Sequence, residues 1–185
     1  MIKTWQRSTL LFVTWIALTD LGGCGKAKIE DAVGKNDRQA VTEAIKAGAD
    51  VNARTSSGDP PLLLAAKSAQ SSSAQALIEG GADIQVRDPA GNSVLHYAAR
   101  SGMTGICGLL IERGLAVDST GEGGATPLQF AVDGGQQETA KYLVRHGASL
   151  EQKNNAGASA LDLVTARGDQ RFLNDLKLAA ATRKP

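Results

Sequence analysis

The chain has 185 residues, enough for one domain of ordinary size or a short array of repeats. Hydrophobic residues make up 42% but aromatics only 4%, with 21 glycines, which argues against a core built on Phe, Trp and Tyr. A formal charge of +1 excludes any global case for nucleic acid or an anionic membrane surface as the partner.

The first segment is of a different kind from the rest. Lys3 and Arg7 form a short basic region, and Thr9 to Thr19 is apolar apart from its threonines. About 11 residues are too few to cross a bilayer core of roughly 30 Å but suit the apolar part of a signal peptide. Both tryptophans, Trp5 and Trp15, lie here. Leu21-Gly22-Gly23-Cys24 follows: small residues that admit a peptidase, then a thiol that can be acylated. This run resembles the bacterial lipobox, although Asp20 is an unusual charge so close to it. The resemblance implies cleavage before Cys24, lipidation of Cys24 and a membrane anchor that does not span. An ordinary cleaved signal with Cys24 incidental is the competing reading. Loss of Lys3, Arg7 and Asp20 would leave the mature chain electrically neutral. Gly25 stands where an aspartate commonly means inner-membrane retention in Gram-negative lipoproteins, so the resemblance implies delivery to the outer membrane on its periplasmic side.

From about Ile29 the chain repeats itself. Gly58, Gly91, Gly124 and Gly157 are separated by a constant 33 residues, as are Gly48, Gly81, Gly114 and Gly147. The first series opens GDPPLLLAA, GNSVLHYAA, GATPLQFAV and GASALDLVT; the second opens GADVNAR, GADIQVR, GLAVDST and GASLEQK. Pro61 and Pro127 fall at a first helical turn, where a missing N–H costs little. Ser93 and Thr126 can cap that turn. Gly102, Gly135 and Gly168 separate two helices in each unit, with Asn36 in the equivalent place. Ala69 breaks this series and precedes Ser71-Ser72-Ser73, which predicts the loosest turn in the second unit. Leu77, Leu110 and Leu143, with Ile45, Ile78, Ile111 and Val144, recur on the face that stacks on a neighbour. A degenerate start and a charged end, RFLNDLKLAAATRKP, read as caps.

These two motifs at one period are similar to the ankyrin repeat, with its G-x-T-P-L-H-x-A-A opening and G-A-D-V-N close. The resemblance implies an all-α solenoid of helix-turn-helix units joined by β-hairpin-like tips. Its divisions are a signal segment over 1–23, a degenerate capping repeat over 24–57, repeats over 58–90, 91–123 and 124–156, and a degenerate cap over 157–185.

Residues able to do chemistry are few. His96 occupies the histidine position of the opening, which in this family bridges neighbouring hairpins, and His146 ends a second helix. Cys107 aligns with Ala74 and Ala140, small core positions, and reads as a buried, inert and unpaired thiol. No nucleophile elbow, dinucleotide glycine motif or zinc spacing is present, so the chain reads as a non-enzyme without cofactor, catalytic or metal site.

The resemblance also implies that tips and first helices line a concave protein-binding strip. On this sequence the strip comprises Arg54, Ser56, Asp59, Lys67, Arg87, Pro89, Asn92, Arg100, Glu122, Asp133, Lys153 and Asn155. Basic groups gather toward the second and third repeats, and Glu122 and Asp133 make the fourth acidic. The expected partner is another protein, bound by a monomer without nucleic acid. Three roles remain open here: an envelope adaptor or protective partner, an immunity protein against a secreted toxin such as a phospholipase, and a factor supporting a periplasmic oxidative-stress enzyme.

Overall fold

A computed structural model describes residues 29–183; the signal segment and Cys24 lie outside the described residues. Within them the chain is a single file of helical pairs. Residues 29–34 form α1, followed by α2 (Arg38–Lys46). Next come α3 (Pro61–Lys67) and α4 (Ser71–Glu79), then α5 (Val94–Arg100) and α6 (Thr104–Glu112). The array ends with α7 (Pro127–Asp133), α8 (Gln137–Arg145), α9 (Ala160–Ala166) and α10 (Gln170–Ala181). First helices have seven residues and internal second helices nine, so the sequence period is an exact structural repeat.

Helices this short are marginal alone and depend on burial against their neighbours. Leu77, Leu110 and Leu143 are completely buried, as are Ala74, Cys107 and Ala140 at the small positions. Ile78 and Val144 are buried as well, while Ile45 and Ile111 are only partly so. The paired alanines Ala65-Ala66 and Ala98-Ala99 are fully enclosed, which lets successive first helices lie close together. The C-terminal helix α10 runs to 12 residues, burying Phe172, Leu173 and Leu176 while leaving Leu178 65% exposed.

The tips are turns closed by one repeated bond: the amides of Thr55, Asp88, Gly121 and Asn154 donate to the carbonyls four residues on. Among the described residues only an isolated antiparallel bridge, Arg87 to Ser93, gives them strand character. Neighbouring repeats are also tied by arginines at helix ends. Arg113 donates to the Ile78 carbonyl (2.8 Å), Arg167 to that of Val132 and Arg183 to that of Ala148 (2.5 Å), each across 35 residues. Carbonyls in a last helical turn have no partner in their own helix, and a cation there is favourable.

The turn at Ala69 corrects the sequence expectation. Ala69 adopts φ +56°, beside +73° at Gly102 and +71° at Gly135, and Asn36 takes +55°. Its hydrogen bonds match theirs: Ala69 N to Ala66 O (3.2 Å) and Gln70 N to Ala65 O (2.8 Å). The turn is therefore as tight as the others and carries the steric penalty of a left-handed alanine, about 1–2 kcal/mol. Ala69→Gly, at an exposed position, is expected to stabilise the protein by about 1 kcal/mol in urea unfolding, after allowing for glycine's greater unfolded-state entropy.

Candidate protein-binding face

First helices and tips share one side of the stack. At the tips, Arg54, Arg87, Thr120 and Lys153 are equivalent and exposed. Arg54 donates to the Gly58 carbonyl (2.7 Å), and Arg87 reaches both Gly91 (2.6 Å) and Thr120 (2.9 Å). Arg87 thus staples one tip to the next while its charge stays unneutralised. The amide and hydroxyl of Ser56 donate to the Glu30 carboxylate. Pro89, Glu122, Lys153 and Asn155 project into solvent, and the Asn155 amide donates to Gly123 O (2.8 Å).

Behind the tips, Lys67 and Asp59 form an ion pair (2.8 Å), and the Lys67 ammonium lies 5.6 Å from the centre of the Tyr97 ring. The Tyr97 hydroxyl donates to Asp88 (2.5 Å). Burial works against ionisation of Asp88, but the bonds from Tyr97 and Asn92 outweigh it and hold its carboxyl below the ordinary range. The Tyr97 phenol is pushed up to about 12, by burial first and then by Asp88. Near neutrality the pair is therefore a carboxylate and an un-ionised phenol. At the far ends of the first helices, Arg100 is exposed and Asp133 meets Arg167 (3.1 Å). The structure thus brings eleven of the twelve sequence-assigned residues to an accessible face.

Asn92 is the correction. It is only 2% exposed: its side-chain oxygen accepts from the Glu122 amide (2.8 Å), and its side-chain nitrogen donates to Asp88 (3.2 Å). A Cβ at Gly121 would lie 2.4 Å from that oxygen, so the third tip packs directly on Asn92. Asn92 is a strut beneath the face. An amide at a position occupied elsewhere by Asp59, Ala125 and Ala158 gave no sign in the sequence of which way it would turn.

Sequence reasoning missed the floor of the face. Leu64, Tyr97, Phe130 and Leu163 are equivalent, each just after the N3 residue of its first helix. Leu64, Tyr97 and Leu163 are half-buried and Phe130 is 8% exposed, giving an apolar column between the tip charges and the helix-end charges. Its signal was a position just after N3 that stays large and apolar in all four units.

His96 is wholly buried under this column. Its Nδ1 accepts from the Ser93 amide (3.1 Å) and meets the Ser93 hydroxyl (2.8 Å). Its Nε2 faces the Ala125 carbonyl (3.2 Å), and Phe130 packs edge-on at 5.0 Å. These partners define the neutral Nε2–H tautomer. The ring therefore joins the third and fourth repeats, as the motif implied. His146 is exposed and stacks on Tyr142 at 4.0 Å. Cys107 is buried, with its thiol pushed up to about 12 by that burial. Among the described residues no group of three or more His, Cys, Asp or Glu could hold a metal ion.

A second concavity, of about 760 Å³, lies among the second helices, between Ser72 and Gln75 of α4, Gly105 and Gly108 of α6, and Tyr142 of α8. Its walls mix hydroxyls, amides and small apolar surface.

A periodic scaffold with an exposed strip of differing side chains over a constant core defines a helical solenoid used as a binding platform. The chain matches the family described as ankyrin repeats (3 copies), over residues 29–121 and again over 62–154. It belongs to the ankyrin-repeat family, whose members serve as protein-interaction modules. No curated protein matches it.

Proposed function

We propose that this chain is an exported, lipid-anchored ankyrin-repeat protein that binds another protein in the bacterial envelope through its concave face and has no catalytic activity of its own. The observation that carries the binding role is the strip itself: eleven accessible residues, most of them differing from repeat to repeat, above buried leucines that recur at Leu62, Leu95 and Leu128 and at Leu77, Leu110 and Leu143. The anchor rests on Leu21-Gly22-Gly23-Cys24 after a short basic and apolar segment. Gly25 after the cysteine favours the outer membrane, with the repeats on the periplasmic side as a monomer.

Cys24→Ser is expected to abolish incorporation of labelled fatty acid and leave uncleaved precursor or soluble protein. Wild type that takes up no label and fractionates as soluble protein sinks the anchoring proposal. Cleavage has an independent readout, since both tryptophans precede Cys24: the purified protein should show tyrosine but no tryptophan fluorescence. Binding is tested by capture from envelope extracts, comparing wild type with Arg100→Ala. Equal recovery of every captured protein by both would place the interface elsewhere.

A further inference from the structure

Charge on the concave face is lopsided. From Arg54 to Arg100 it carries Arg54, Lys67, Arg87 and Arg100 against Asp59 and Asp88, while Glu30 of α1 accepts from Ser56 at the Arg54 tip. Both carboxylates are engaged, Asp59 by Lys67 (2.8 Å) and Asp88 by Tyr97 (2.5 Å) and the Asn92 amide (2.8 Å). The guanidiniums of Arg54 and Arg87 bond to carbonyls, which fixes their position without cancelling their charge. Arg100 has no carboxylate within ion-pair distance among the described residues. A net positive charge is left over on the part of the face that holds the half-buried Leu64 and Tyr97. One repeat further on the sign reverses, with Glu122 exposed and Asp133 held by Arg167 (3.1 Å).

Resting on the concave-face reading, the geometry points to a partner protein that presents an acidic segment bearing a large apolar side chain. The segment crosses the second and third repeats, its carboxylates meeting Arg100 and the Lys67 side and its apolar group lying over Leu64 and Tyr97. Glu122 ends the acidic stretch by repulsion, which sets the register. A continuous polyanion fits worse, because Asp59, Asp88 and Glu122 interrupt the positive field every repeat. Nucleic acid and anionic lipid are therefore alternatives for the test to reject.

The protein, purified in detergent as the cell delivers it, is titrated with four fluorescent probes. These are a peptide alternating Glu with Leu, its Lys counterpart, phosphatidylglycerol vesicles and a single-stranded oligonucleotide. The Glu peptide is expected to bind at least about tenfold more tightly than the other three and to weaken as salt rises. Arg100→Glu should weaken it about tenfold and Arg100→Gln by a smaller factor. Should Arg100→Glu lower the melting temperature, Arg100→Gln supplies the reading. No binding of the Glu peptide, equal binding of any other probe, or indifference to both variants overturns the proposal. A photo-crosslinker in the peptide separates the two layers of argument. Crosslinks at Tyr97 without charge preference overturn the acidic partner and leave the concave face standing. Crosslinks at Tyr142 and Gly108, in the groove among the second helices, overturn both.

Discussion

Leu110→Ala should lower unfolding stability by about 2–5 kcal/mol, toward the upper end of that range, in a denaturant titration. Leu110 is completely buried in the core, on the inner side of α6 with Ile106 and Cys107. Truncation removes apolar surface and leaves a void that tightly packed neighbours fill only in part. The helix itself offers little reserve. Its sequence, TGICGLLIE, includes Gly105 and Gly108, each about 1 kcal/mol worse than alanine in a helix interior. Burial alone therefore holds α6 in place, and it sits in the middle of the stack, where two interfaces depend on it. Leu109→Ala, one residue earlier and only partly buried, should cost less than half as much. A loss below about 0.5 kcal/mol at Leu110 would mean that the repeat register is misplaced.

Acid should destabilise the junction between the third and fourth repeats through His96. Burial pushes the ring down to about 4, from an ordinary value near 6.5. Below 6.5 the unfolded chain takes up a proton that the folded chain refuses. Stability contributed by neutral His96 is thus complete above pH 6.5, falls as the pH drops toward 4 and is gone below that. The difference corresponds to about 3 kcal/mol across that window. Arg87 adds to the resistance to protonation, while Asp88 and the nearby carbonyls oppose it. A control exists within the protein. Gln129 stands one repeat on, where its side chain accepts from the Thr126 amide (3.1 Å) and donates to Gln152 and Ala158 carbonyls (both 2.9 Å). His96→Gln should therefore fold and should flatten the pH dependence between 6.5 and 4. A variant that loses stability with acid as steeply as wild type would assign that loss to other groups.

The scaffold was legible because its constraints are local and periodic. A capping hydroxyl at Ser93, Thr126 and Ser159, a proline at N1 in two units and a left-handed residue after the first helix each act within one turn, so they appear as spelling in a 33-residue register. His96 was legible for the same reason. What escaped depends on the neighbouring repeat. Whether Asn92 faces solvent or the next tip is decided by Gly121, where the absent side chain lets the backbone approach. Arg87 read as a free surface charge, yet it bonds to Thr120 across the repeat boundary. For that reason an Arg54, Arg87 and Arg100 triple replacement would disturb the tips as well as any interface, and Arg100 alone is the cleaner probe. The Ala69 turn was misjudged because residue preference was taken for conformation. The surrounding helices impose the same geometry on alanine and hold it there.

The arginine ties give the array a direction in time. Arg113, Arg167 and Arg183 each close a carbonyl made 35 residues earlier, and none of them closes one ahead. A ribosome must therefore add a full unit beyond Ile78, Val132 or Ala148 before that carbonyl receives its cross-repeat bond. A chain stopped short of Arg113, Arg167 or Arg183 leaves the matching carbonyl without that bond until synthesis resumes.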